Sequence, residues 1–150
     1  MSEEKQSPNE LKVRVYGIIK KEGRILVSIE KYKDMEFAKF PGGGLEFGET
    51  PVDCLKRELF EELSVKNPRV SLLHVSEVYV QNRFNPKQQV IGIYYEVELE
   101  QPDLDPINKN LNSIKNEGSL LMVRREWIKI KDLRNKLTFE MDLNTVDKIK

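Results

Sequence analysis

Six carboxylates crowd into residues 43–65, at Glu46, Glu49, Asp53, Glu58, Glu61 and Glu62, against only Lys56 and Arg57, leaving that stretch at net −4. Acids packed this closely repel one another unless a positive partner stands among them. A hard divalent cation such as Mg²⁺ or Mn²⁺ favours oxygen donors of this kind and completes its shell with water and substrate phosphates. The alternative is a solvated acidic helix face. Helical spacing bears on the choice. At about 100° per residue, with Glu58 at zero, Glu61 falls near −60° and Glu62 near +40°, while Leu55, Leu59, Val52 and Leu63 fall between about 60° and 140°. The three glutamates thus share an arc beside the leucine stripe that must face the core, where their repulsion is less screened. Just ahead lies Pro41-Gly42-Gly43-Gly44-Leu45-Glu46-Phe47-Gly48-Glu49, whose glycines let the backbone approach a ligand or cation closely. Arg57, at about −100°, can reach back to Glu49 and fasten loop to helix.

The elements that must position these residues are legible in outline. Residues 1–10 read as a frayed polar tail, and 11–150 as a single domain. Alternating apolar residues predict strands over 11–19 and 24–30, joined as a hairpin through Lys20-Lys21-Glu22-Gly23. Residues 31–49 read as a loop, aromatic first and glycine-rich after. Thr50-Pro51 marks a helix start, with Asp53 completing a weak capping box, and the helix should run to Leu63 and end near Ser64 or Asn67-Pro68. Further strands are expected at 70–81, 88–100 and 120–130, and a terminal helix at 142–149. The polar stretch 101–118 is either a functional loop or hides a short helix.

The pattern Gly43, five residues, Glu49, seven residues, then Arg57-Glu58-Leu59-Phe60-Glu61-Glu62-Leu63-Ser64-Val65 resembles the signature box of the Nudix hydrolases, the MutT-like enzymes that cleave nucleoside diphosphate-linked pyrophosphates. One position departs: the family has glycine where this chain has Ser64, at the helix exit, where glycine normally supplies the left-handed cap. The resemblance implies an α/β fold, an α/β/α sandwich on a mixed β-sheet with the box as loop–helix–loop. It implies hydrolysis of a pyrophosphate bond in a nucleoside diphosphate attached to another group, with Mg²⁺ or Mn²⁺. Carried over by position, Glu58, Glu61 and Glu62 would hold the metal, Gly42 or Gly43 would add a backbone carbonyl, and Glu49 with Arg57 would form the supporting pair. Glu58 inside the box and Glu117 outside it are the general-base candidates. The runner-up is a non-catalytic Nudix-like module that senses a nucleotide; retention of every box acid favours the enzyme.

Other features are weaker. Arg14, Lys39 and Arg83 are candidates for phosphate contacts, and Tyr32, Phe37, Phe40, Phe84 and Tyr94 could stack on a base, though each aromatic reads first as structural. Phe40, beside the glycines, joins the substrate candidates. His74, Cys54 and Trp127 read as packing residues. Gly42-Gly43-Gly44 lacks the spacing of a dinucleotide fingerprint, and no Gly-Lys-Ser/Thr follows it. Twenty-five basic residues balance twenty-five acidic ones, so no global field draws a polyanion and nucleic acid is disfavoured as a partner. No apolar run approaches the ~20 residues that span a bilayer. One cysteine excludes an internal disulfide framework. A cytoplasmic domain with a nucleotide-type small-molecule substrate is expected; a homodimer is compatible with that reading. The residues do not select the substrate.

Overall fold

A computed structural model describes residues 6–118 and 120–150. Strand β1 (Glu10–Lys21) turns through Glu22 and Gly23, both with positive φ, into β2 (Arg24–Tyr32). That backbone twist is the one a tight hairpin needs. The two strands pair only at the turn, Lys20 with Ile25 and Lys21 with Arg24, and then part. Two short strands fill the opening. β3 (Met35–Lys39) pairs antiparallel with β2, and β4 (Gly42–Gly44) pairs antiparallel with β1, setting Gly44, Gly43 and Gly42 opposite Arg14, Val15 and Tyr16. The expected loop over 31–49 therefore contains two strands. A strand of three glycines has no side chain to announce it, since strand preference reflects how side chains pack on a pleated surface.

On its other edge β1 runs parallel to β6 (Gln88–Glu98), which pairs antiparallel with β5 (Arg69–Val75). β2 pairs antiparallel with β8 (Leu120–Lys129), which carries β7 (Lys115–Glu117). Among the described residues the mixed sheet has eight strands in the order β5-β6-β1-β2-β8-β7, with β3 and β4 branching from β2 and β1. The strand expected over 70–81 stops at Val75, and the chain then forms an irregular segment whose contact with β6 includes an isolated bridge from Gln81 to Gln89.

Helix α1 (Pro51–Leu63) has the expected limits. Thr50 Oγ1 accepts from the Asp53 amide and Asp53 accepts from the Thr50 amide, each at 3.1 Å, a complete capping box. The stretch 101–118 hides α2 (Gln101–Lys109), where Pro102 occupies the first turn and needs no donor. After β8 come a 3₁₀ turn (Ile130–Asp132), α3 (Leu133–Lys136) and α4 (Glu140–Val146), the last lying slightly before the terminal helix expected at 142–149. Residues 1–5 of the expected tail lie outside the described residues. Asn9 and Glu10 both donate backbone bonds to the Lys87 carbonyl, so the chain is already tied at that point.

Alternation along β1 divides the core. Val15 and Ile19 join Leu26, Leu55, Leu59, Leu63 and Ile107 on the α1 and α2 side, while Tyr16 and Ile18 join Tyr94, Leu133, Met141 and Val146 on the other. Each fully buried leucine contributes roughly 1.5–3 kcal/mol. The result is an α/β/α sandwich. Among the described residues no helix is long and apolar enough to cross a membrane.

Candidate active site

Where β1 and β2 part, a cleft of about 630 Å³ opens, floored by β1–β4 and walled by α1, the segment before β6 and the start of α4. Its polar end joins Glu58 and Glu62 of α1 with Gly42, Gly43 and Gly44 of β4, and Arg14 and Lys39 stand beside them. Position 42 has φ 151°, and a Cβ there would lie 2.0 Å from the Val15 carbonyl oxygen. At position 43 a Cβ would lie 2.3 Å from Glu58 Oε1. Glycine is what lets the Glu58 carboxylate rest against the strand backbone.

Arg57 fastens the loop as its helical angle predicted. Its Nε and Nη2 donate to the two Glu49 oxygens at 2.7 and 3.0 Å, and Nη2 also donates to the Gly44 carbonyl at 3.1 Å. This forked geometry fixes both direction and distance. Glu49 also accepts from the Glu46 amide at 3.0 Å, and the bonds from Arg57 and Glu46 hold its carboxyl below the usual carboxylate range. The same guanidinium reaches Glu58 at 2.9 Å and Glu61 at 3.4 Å. Among the described residues no three His, Cys, Asp or Glu side chains already converge as a coordination shell. Glu61, with 55% of its side chain exposed, does not line the cleft.

The Glu62 carboxyl is strongly perturbed. Burial pushes its pKa up to about 7; Lys39 and Arg125 oppose the rise, and Glu58 and Glu30 add to it. Of the groups around it, the sequence points to Lys39 and Glu58 but not to Glu30 or Arg125. Glu30 on β2 is buried, pairs with Lys39 at 3.2 Å and accepts from Ser28 Oγ at 2.9 Å. Burial disfavours the Lys39 ammonium, but Glu30 and Glu62 more than offset this and raise its pKa. Arg125 on β8 is buried and donates to the Glu62 carbonyl at 2.8 Å. A signal was present in β2: Leu26, Ser28 and Glu30 occupy one face, so the inward phase turns polar part-way along. Its meaning depends on knowing that the acidic edge of α1 lies opposite.

The other end of the cleft is aromatic. The Phe84 amide donates to Asn82 Oδ1 at 2.9 Å, a local turn that presents the Phe84 ring to Tyr32 at 4.8 Å and Phe37 at 5.4 Å between centroids. Phe139 lies 5.2 Å from Phe37, and the Arg83 guanidinium sits 5.5 Å over the Phe139 ring. Arg14, Lys39 and Arg83 all line the cleft. Phe40 does not: it is 0% exposed and packs edge-on to Tyr94 at 6.1 Å, because one residue past the end of β3 it keeps the inward phase of Ala38. Cys54 is buried, and burial raises its thiol to about 11. Trp127 is partly buried beside the α1 core and donates to Asn108. The Glu117 side chain lies outside the described residues.

The NUDIX domain model matches residues 8–146. The chain is 42% identical over 52 residues to an RNA pyrophosphohydrolase of Psychrobacter cryohalolentis, covering 35% of this chain and 30% of that one. It is 33% identical over 82 residues to an 8-oxo-dGTP diphosphatase of Haemophilus influenzae, covering 53% and 56%. The aligned part is thus about a third to a little over half of these relatives' length. In structure it resembles a MutT NUDIX hydrolase from Burkholderia pseudomallei, with TM-score 0.68, 19% identity and coverage of 95% of this chain and 100% of the other. The glycine strand, the Glu49–Arg57 fork and the glutamate helix are held by a sandwich that the family shares, and the chain belongs to the NUDIX domain family.

Proposed function

We propose that this chain hydrolyses a pyrophosphate bond in a nucleoside diphosphate linked to another group, with Mg²⁺ or Mn²⁺, as a single cytoplasmic domain spanning residues 11–150. The observation that carries the reading is one cleft with carboxylates on glycine backbone at one end and clustered aromatic rings at the other. The donor set suits a hard cation: Glu58, Glu61 and Glu62 would hold it with a carbonyl of Gly42 or Gly43, leaving other positions for water and phosphate. Such an ion, when bound, neutralises phosphate charge and acidifies a coordinated water.

The protein's own part is to bind and to orient. Arg57 and Glu49 keep the loop and helix in register. Arg14, whose Nε donates to the Tyr16 hydroxyl at 2.7 Å, and Lys39, anchored by Glu30, present cations to the phosphates. The aromatic end takes the base by stacking, and Arg83 lies at its edge. Glu58 is the general-base candidate whose side chain lines the cleft.

A panel of nucleoside diphosphate derivatives and triphosphates, assayed for phosphate release with a coupled phosphatase, tests this reading. Turnover should require Mg²⁺ or Mn²⁺ and stop with EDTA. Glu61→Gln and Glu62→Gln should each lower kcat by about 10²-fold or more while the fold survives, as when charge stabilisation of the transition state is removed. Full turnover in both variants overturns the metal assignment. Nucleotide binding without turnover by the wild type would make the chain a sensor instead.

A further inference from the structure

The exit of α1 is held from outside the helix. Its last turn contains no basic residue, and the left-handed Ser64 closes only part of the helix end: the Ser64 amide bonds to the Phe60 carbonyl at 3.0 Å and the Val65 amide to the Leu59 carbonyl at 3.2 Å. The Glu62 carbonyl falls beyond these bonds, and Arg125 Nη2 takes it at 2.8 Å from 63 residues away. Arg125 is 6% exposed, and its own amide is bonded to the Leu111 carbonyl at 2.6 Å. β8 is therefore fixed by backbone at the residue whose guanidinium fixes the helix. Just after the exit, the Asp103 carboxylate of α2 accepts the Lys66 and Asn67 amides at 2.9 and 3.0 Å. A cation and an anion from separate elements thus bracket the end of α1, each opposite in sign to the backbone groups it meets.

We infer that Arg125 is a positioning residue for the box glutamates: through the Glu62 carbonyl it sets the last turn of α1, and with it the direction of the Glu62 and Glu58 carboxylates into the cleft. The inference rests on the metal role proposed above for those glutamates. A rotation of the last turn moves the Glu62 side chain directly, because its carbonyl and its carboxylate belong to one residue. Glu58 stands one turn earlier on the same arc.

Arg125 also faces Glu62 and Glu30 as a charge, and this gives the test its sign. If the guanidinium served only as a counter-charge, deleting it would leave a more negative site and tighten cation binding. If it positions the last turn, deleting it weakens cation binding despite the gain in negative charge. Outer partners that orient metal ligands typically carry about 10- to 100-fold in affinity.

The experiment is a Mn²⁺ titration followed by the paramagnetic resonance of free Mn²⁺, on wild type, Arg125→Met, Arg125→Lys and Glu62→Gln, at a temperature where circular dichroism shows each folded. Arg125→Met should bind Mn²⁺ about 10-fold more weakly. Arg125→Lys, which keeps the charge and can still donate to the carbonyl, should recover part of the loss. Unchanged or tighter binding by folded Arg125→Met overturns the inference. Should Arg125→Met fail to fold, Arg125→Lys is compared with wild type directly: weaker binding sustains the inference and equal affinity overturns it. The reading beneath it fails separately, if wild type binds no Mn²⁺ or if Glu62→Gln binds it as well as wild type does.

Discussion

At position 43 the backbone of β4 and the Glu58 carboxylate meet with no room for a side chain. The Glu58 carboxylate occupies the space where a Cβ would sit, 2.3 Å from Oε1, and Arg57 holds the same oxygen from the other side at 2.9 Å. Gly43→Ala would push the carboxylate off the strand. Displacing a reacting or ligating group by about 1 Å can cost about 10²-fold in rate, so metal-dependent turnover should fall by that order. The cost to stability should be small, because the atoms that must move are the far end of the Glu58 side chain and not backbone. Steady-state kinetics beside urea denaturation separate the two effects, and full turnover in the alanine variant would mean that Glu58 has no role at that place.

At the scale of an element, α1 is defined strongly at its start and less favourably at its end. Thr50, Pro51 and Asp53 fix the first turn through the reciprocal capping bonds. The exit instead asks Ser64 for φ 59°, a left-handed conformation that costs a residue with a Cβ more than it costs glycine. Ser64→Gly keeps both backbone bonds of the cap and removes that strain, partly offset by the greater freedom of glycine in the unfolded chain. It should raise stability by about 0.5–1 kcal/mol, read as a shift of the urea midpoint. A midpoint that falls would show that the serine makes a contribution its backbone geometry does not account for.

At the scale of the whole molecule, a buried hydrogen bond joins α4, whose start walls the cleft, to β6, an inner strand of the sheet. The Tyr94 hydroxyl of β6 donates to Asp142 Oδ1 of α4 at 2.5 Å, and the Tyr94 ring stacks on Tyr16 at 5.2 Å. Burial raises Asp142 from its ordinary 3.8 to about 6, with Tyr94, Lys39, Arg14 and the Phe40 backbone holding the rise in check. A carboxyl whose pKa is higher folded than unfolded favours the native state below the unfolded pKa, and that contribution is lost as pH rises through the folded one. Asp142 should therefore make wild type lose up to about 3 kcal/mol between roughly pH 4 and 6, at about 1.4 kcal/mol per unit. Asp142→Asn keeps an acceptor for Tyr94 and cannot ionise. Subtracting its stability profile from that of wild type should give this fall. Parallel profiles would show that Asp142 does not carry the pH dependence.

What the sequence determined by itself was local. The leucine stripe and the glutamate arc of α1, the cap at Thr50 and the reach of Arg57 to Glu49 all follow from helical geometry within a few turns, so period and spacing sufficed. The family and its sandwich were legible for a related reason, because the box is one continuous stretch of chain. Tertiary structure decided what depends on contacts between distant segments. Gly42–Gly44 became a strand only because β1 offers an edge where β2 departs from it. Phe40 turned into the core and Phe84 into the cleft, although both are apolar rings in aromatic surroundings, since the facing of a side chain is set by the register of its strand or turn. Glu30, Arg125 and Asp142 acquire their significance from opposing groups 32, 63 and 48 residues away in Glu62, Glu62 and Tyr94. No local period encodes those encounters; they exist only once the sheet has brought the elements together.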